Sequence, residues 1–189
     1  MMKKTIATFI LSMLILSGCQ QNKWDVRDPN LPASFYQTQE QLLNTARENL
    51  KKTPTDSKAQ FEVAYRLQTL GKLSDAISEY EKVLKSSATD FATLNNMAAI
   101  YEEMKDYGNA AKYVKKLYEL NPDSSEVISD TVRILLENGE PEPAVKALEN
   151  FIKVLKGTDG KNKIVQNDVA LISELYQSID TYKKQHEQK

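Results

Sequence analysis

Cysteine and histidine are nearly absent from this chain, and what they exclude is informative. The 189 residues hold one cysteine, Cys19, and one histidine, His186. An intramolecular disulfide and a cysteine-based zinc site are therefore ruled out. So is a metal site built on several imidazoles, and a Ser–His–acid triad would have to recruit a histidine from the fraying C-terminal turn. Glycine and proline number only six each, so long helices can run without interruption. A phosphate-binding loop is also missing. Gly157-Thr158-Asp159-Gly160-Lys161 has the residue types but neither the spacing nor a preceding strand. Charge of one sign is not in excess: the formal net charge is -1, which gives neither a nucleic-acid footprint nor a polyacidic tail. Strand-type alternation is lacking throughout. Carboxylate pairs such as Glu102–Glu103 fall on helical patterns, where runs of acids are ordinarily solvated faces. No residue set reads as catalytic, and the chain is expected not to be an enzyme, with no metal, no cofactor and no small-molecule substrate.

What is present begins at the N-terminus. Met1–Lys4 carry two lysines, Thr5–Leu16 is almost continuously apolar, and Ser17–Gly18 are small. These are the n-region, h-region and cleavage site of a secretory signal. The apolar run of twelve residues falls short of the roughly 20 that span a bilayer core. Leu16-Ser17-Gly18-Cys19 resembles the lipobox of bacterial lipoproteins. That resemblance implies a diacylglycerol on the Cys19 thiol, cleavage after residue 18, and acylation of the new amino group. One acyl chain binds a membrane marginally, whereas two or three hold firmly. Loss of residues 1–18 leaves 23 basic against 26 acidic residues, a net charge of -3. Such a mildly acidic body is not drawn to anionic lipid, so the lipid alone must hold it there. Residues 19–37 read as the lipidated cysteine and a flexible tether. Within it Trp24 has three readings: at the lipid headgroups, docked on the domain, or idle.

The remainder repeats. Sliding the chain by 34 residues aligns Ala76, Ala110 and Ala144, then Leu67, Tyr101 and Leu135, then Tyr80, Val114 and Leu148. Val83, Leu117 and Phe151 coincide, as do Leu84, Tyr118 and Ile152. Gly71 and Gly139 match with Lys105 between them, and Asp56, Asp90 and Ser124 share a position suited to helix N-caps. The alanines mark where two helices must approach closely. Bulky residues at i, i+3, i+4 and i+7 fill the rest of each hairpin. Leu94, Met97, Ala98, Tyr101, Tyr107, Ala110, Val114, Leu117 and Pro122 in the middle unit occupy the signature positions of the tetratricopeptide (TPR) repeat, and the chain resembles that family. The outer units are looser: Pro141 stands where an aromatic usually opens the second helix.

An all-α, TPR-type solenoid is therefore expected, a right-handed superhelix of antiparallel hairpins over residues 38–186. It comprises a lead helix over 38–52, with Thr38 and Gln41 as a capping box; repeats over about 57–90, 91–124 and 125–157; and a capping helix over about 166–185. The last helix carries Val169, Ile172, Leu175, Tyr176 and Ile179 on one face, and is expected to solvate the end of the stack.

The family resemblance further implies that the first helix of each hairpin lines a concave, protein-binding surface. Its positions here are Lys58, Phe61, Tyr65, Gln68 and Thr69; Ala92, Asn95, Ala99, Glu102 and Glu103; and Glu126, Ser129, Arg133, Leu136 and Glu137. The candidate groove is Lys58, Phe61, Tyr65, Gln68, Asn95, Glu102, Ser129 and Arg133. Phe61 and Tyr65 either anchor a partner or pack as core. Arg133 either meets an acidic partner or is neutralised by Glu137 one turn away. The carboxylate clamp of some TPR domains is not reproduced, because only Asn96 fits it. TPR lipoproteins of similar architecture act in outer-membrane protein insertion, pilus assembly and control of cell-wall enzymes. The expectation is a lipid-anchored scaffold or assembly factor of the bacterial envelope whose partner is another envelope protein or peptide segment. The alternatives are an accessory subunit of an envelope enzyme complex and a self-associating structural lipoprotein. Gln20 after Cys19 favours the periplasmic face of the outer membrane in a diderm host, and otherwise the outer face of the cytoplasmic membrane is expected.

Overall fold

The structure is a computed structural model that describes residues 27–157, 164 and 166–186. Residues 1–26, with Cys19 and Trp24, lie outside the described residues, as do 158–160 of the expected loop. Eight helices follow one another among the described residues: α1 (Ala33–Lys52), α2 (Ser57–Thr69), α3 (Leu73–Ser86), α4 (Phe91–Glu103), α5 (Tyr107–Leu120), α6 (Ser125–Glu137), α7 (Pro141–Lys156) and α8 (Gln166–His186). Consecutive helices pack on one another from α1 to α8, and α6 also meets α8. The result is an all-α TPR solenoid in which α2, α4 and α6 form one layer and α3, α5 and α7 the other.

The same local chemistry builds each hairpin. Asp56, Asp90 and Ser124 are the N-caps of α2, α4 and α6, and their side chains accept from Lys58 N (2.8 Å), Thr93 N (2.8 Å) and Val127 N (3.3 Å). At the other end of these helices the chain turns back through the left-handed region at Gly71 (φ 72°), Lys105 (φ 57°) and Gly139 (φ 76°). Lys72 N, Asp106 N and Glu140 N then donate to Leu67 O, Tyr101 O and Leu135 O at 2.8–2.9 Å. This six-residue closure is the Schellman motif, made three times in one register. Glycine suits two of the turns. Lys105 makes the third against the steric preference of an L-residue.

Ala76, Ala110 and Ala144 are each 0% exposed, as the close approach of two helices requires. Two buried clusters result. One joins α1–α4 through Leu43, Val63, Leu67, Ala76, Tyr80, Met97 and Ile100. The other joins α4–α8 through Leu94, Ala98, Ala110, Val114, Val132, Leu148, Phe151, Leu175 and Ile179. Adjacent faces of α4 serve the two clusters, and Tyr101 and Tyr113, stacked with centroids 5.6 Å apart, pack against both.

Three expectations are corrected. The lead helix starts at Ala33, not at 38, so residues 33–37 of the expected tether are helical. Pro32 stands at the N-cap with an extended backbone and no side-chain cap bond, its ring fixing the entry angle. Thr38 caps nothing: its hydroxyl donates to Ser34 O one turn back, inside the helix. Residues just before α1 are also engaged, since the Tyr36 hydroxyl donates to Asp28 O (3.0 Å) and Arg27 pairs with Glu40 (3.1 Å). Finally, α8 is not a solvating cap all round. Leu175 and Ile179 are buried, but Val169 is 57% and Tyr176 42% exposed.

Candidate functional site

The helix face shared by α2, α4 and α6 gathers the candidate groove residues, but it uses them in two different ways. Some hold the repeats together. Tyr80, on α3 and wholly buried, donates its hydroxyl to Gln68 Oε1 (2.8 Å) and accepts from Asn96 Nδ2 (2.7 Å). One phenol thus ties α2 to α4. Burial pushes its ionisation far above the ordinary tyrosine value, the Asn96 hydrogen bond opposing. Gln68 is therefore a repeat link, not a free groove residue. Asn96, the single match to the carboxylate clamp, is engaged in the same bond.

Glu102 and Arg133 form the next link, from α4 to α6. Both guanidinium nitrogens of Arg133 reach the Glu102 carboxylate, one of them at 3.2 Å, and Arg133 Nη2 also donates to Asp130 (2.7 Å). The Glu102 hydrogen bond is the chief cause that raises the guanidinium above its ordinary value. Arg133 is thus neutralised by Glu102 and Asp130, not by Glu137 as its spacing suggested; Glu137 lines the cleft between α6 and α8. Further along, the Ser125 hydroxyl contacts Asp168 of α8 at 3.2 Å. On α2, Arg66 bridges Glu62 of the same helix (2.7 Å) and Gln39 of α1 (3.1 Å). Links of this kind run from α1 to α8.

Other groove residues remain available. Tyr65 is 42% exposed; its ring lies parallel to that of Phe61 at 6.4 Å, with the Arg66 guanidinium 5.4 Å from its centroid. Phe61 is half-buried and meets Tyr80 edge-on at 5.5 Å. The pair therefore divides: Phe61 is a core residue and Tyr65 is the exposed platform it supports. Lys58 and Asn95 are exposed. Ser129 is half-buried, and its hydroxyl bonds back to Ser125 O (2.8 Å).

Two clefts open on this face. The smaller, about 190 Å³, lies between α4 and α6 and is lined by Phe91, Asn95, Ala99, Glu102, Glu126 and Asp130 among others. The larger, about 680 Å³, lies between α6 and α8, with Val132, Leu136, Leu171, Leu175 and Tyr182 among its apolar lining. Arg133 borders the larger and its partner Glu102 the smaller, so their ion pair forms the ridge between them. Sequence reading missed Phe91, which is 42% exposed, and Asp130. Both stand one position outside the rows that the groove pattern singles out. Among the described residues no group of three histidines, cysteines, aspartates or glutamates could hold a metal, and no helix is long and apolar enough to cross a membrane. Such an arrangement offers shape, exposed aromatic surface and hydrogen-bonding amides.

Several solved structures share the architecture. MamA from Desulfovibrio magneticus RS-1 (residues 41 to the end) superposes with a TM-score of 0.55 at 15% identity, over 79% of this chain and 88% of that one. A tetratricopeptide repeat protein from Parabacteroides merdae ATCC 43184 gives 0.55 at 14% identity, over 80% of this chain and 62% of that one. One chain of the structure of Naa15/Naa10 bound to HypK-THB gives 0.52 at 19% identity, over 82% of this chain and 25% of that one. At these identities the likeness is one of fold. No curated protein matches the chain. The family described as the Psidin N-terminal TPR repeats region matches residues 37–139, more than half of the sequence, and the chain belongs to that TPR family.

Proposed function

We propose that the chain is a bacterial envelope lipoprotein whose solenoid acts as a protein-binding scaffold or assembly factor, taking a polypeptide segment of another envelope protein on the α2–α4–α6 face. The observation that carries the binding half is the division just described. Gln68, Glu102 and Arg133 fix the repeats to one another, while Tyr65 and Asn95 stand exposed on successive helices with no side-chain hydrogen bond among the described residues. An exposed aromatic backed by a second ring is a rigid anchor of the kind that dominates interfaces. Asn95, on α4, offers donors and an acceptor to an extended backbone. Because the links hold the face in place before a partner arrives, little ordering cost falls on binding.

The anchoring half rests on Leu16-Ser17-Gly18-Cys19 and its distance from the apolar run. Cys19 is the proposed attachment point of the diacylglycerol and N-acyl chains, on the periplasmic face of the outer membrane in a diderm host. Two measurements test the two halves. Cys19→Ala should move the chain from the membrane to the soluble fraction; retention in the membrane would contradict the anchor. Crosslinked capture from intact cells should recover a protein with the wild type and lose most of it with Tyr65→Ala/Asn95→Ala. Equal recovery would contradict the face assignment. A second reading, self-association, is favoured by Val169 and Tyr176 on the outer side of α8, where a further helix would stack in a longer solenoid. Light scattering of residues 20–189 that gave a single-chain mass at micromolar concentration would dismiss it.

A further inference from the structure

The last two turns of α1 hold a feature that neither the repeat nor the partner face uses. Arg47, Leu50, Lys51, Pro54 and Gln60 line an open cleft of about 540 Å³, with a floor that is largely apolar. Arg47 and Lys51 are four residues apart on one side of the helix, and both are exposed. Neither has an ion pair among the described residues. Glu48, three residues before Lys51 and four before Lys52, forms an ion pair with neither, and the Gln60 amide nitrogen donates to Glu79 of α3. Asp56, the next acid after α1, is engaged by Lys58 N and Ala59 N. Two exposed cations with no ion pair among the described residues thus border a largely apolar floor.

We propose that this cleft seats the headgroup of an anionic phospholipid, so that the tethered solenoid rests on its membrane by the α1 edge. The inference rests on the lipid-anchor reading. Seven residues separate Cys19 from Arg27, whose side chain pairs with Glu40 of α1, and a segment of that length reaches at most about 25 Å. Arg47 and Lys51 lie within roughly 20 Å of Glu40 along the helix, so tethering keeps the cleft within reach of the lipid surface at high effective concentration. The two cations would flank the phosphate, and Leu50 and Pro54 would take the glycerol and the first methylenes. The acidic body as a whole is not drawn to such a surface; a local basic cleft gives it one preferred edge, with the orientation set by charge and the residence set by the lipid anchor.

The test uses the chain from Gln20 onward, which retains every described helix and has no lipid. It is sedimented with vesicles of phosphatidylcholine alone and with vesicles containing about one quarter phosphatidylglycerol. The proposal expects a clear preference for the anionic vesicles, lost at high salt because the cations are exposed to screening. Each cation contributes about fivefold to such partitioning, so Arg47→Gln/Lys51→Gln should lower it by roughly 25-fold with unchanged circular dichroism. Equal sedimentation with both vesicle types, or an undiminished variant, overturns the proposal. So does a loss, in the variant, of capture of an acidic polypeptide without any vesicle preference in the wild type, which assigns the cleft to a protein. Intact mass of the full chain isolated from membranes reports separately on lipid at Cys19. The anchor and the cleft can therefore fail independently.

Discussion

On the α2–α4–α6 face the two junctions between successive repeats differ in kind although they share one 34-residue frame. Between the first and second repeats the link is a buried phenol, Tyr80, gripped by two amides. Between the second and third, that face is linked by the ion pair of Glu102 and Arg133, with side chains 34% and 46% exposed, while in the opposite layer the Tyr118 hydroxyl of α5 donates to Ala147 O and accepts from Asn150 of α7. A neutral hydrogen-bond relay shielded from solvent is indifferent to salt, and breaking it leaves polar groups without partners. An exposed ion pair is screened and contributes little. The difference teaches that the repeat fixes where helices meet without fixing the chemistry by which they hold. Buried apolar packing joins the repeats at both junctions, so the contrast lies in the polar links on this face alone.

The sharpest break of this comparison is Tyr80→Phe. It keeps the ring and removes the hydroxyl, leaving Gln68 and Asn96 without their partner, and should cost about 2 kcal/mol of stability in urea unfolding, unaltered by salt. Smaller is the effect of Gly139→Ala. A Cβ there would meet only the Tyr182 hydroxyl, at 3.6 Å, an ordinary contact. The loss of about 1 kcal/mol therefore comes from the left-handed backbone alone. Arg133→Ala should cost under about 1 kcal/mol, and that cost should vanish in high salt. Smallest is Lys105→Gly in the middle repeat, where the same turn is made at φ 57°. Relief of strain, partly offset by the added chain entropy of glycine, should gain about 0.5 kcal/mol. Melting temperatures at two ionic strengths distinguish all four.

Much of the fold was legible because its determinants are local or periodic. The caps Asp56, Asp90 and Ser124, the turns at Gly71 and Gly139, and the three buried alanines each follow from a residue's own geometry repeated at a fixed interval. The start of α1 was not, because Pro32 ends the preceding chain by a fixed dihedral while Thr38 only imitates a cap. The candidate face was legible as a face. Its division into linking and available residues was not: Gln68 meets its partner 12 residues on, and Glu102 meets Arg133 31 residues on. Helical spacing gives the side of a helix on which a residue lies, not which side chain from another repeat will reach it. In the same way, the apolar residues of α8 formed a stripe wider than one neighbour could cover, and Val169 and Tyr176 were left outside.

The central claim is that the α2–α4–α6 face, and not the opposite layer, receives a polypeptide. A photo-crosslinking residue placed at Ala99, exposed on α4, addresses it directly beside the same residue at Lys112, exposed on α5. The account predicts a discrete crosslinked adduct in cells from position 99 and none from position 112. Adducts from 112 alone, or equally from both, would contradict it.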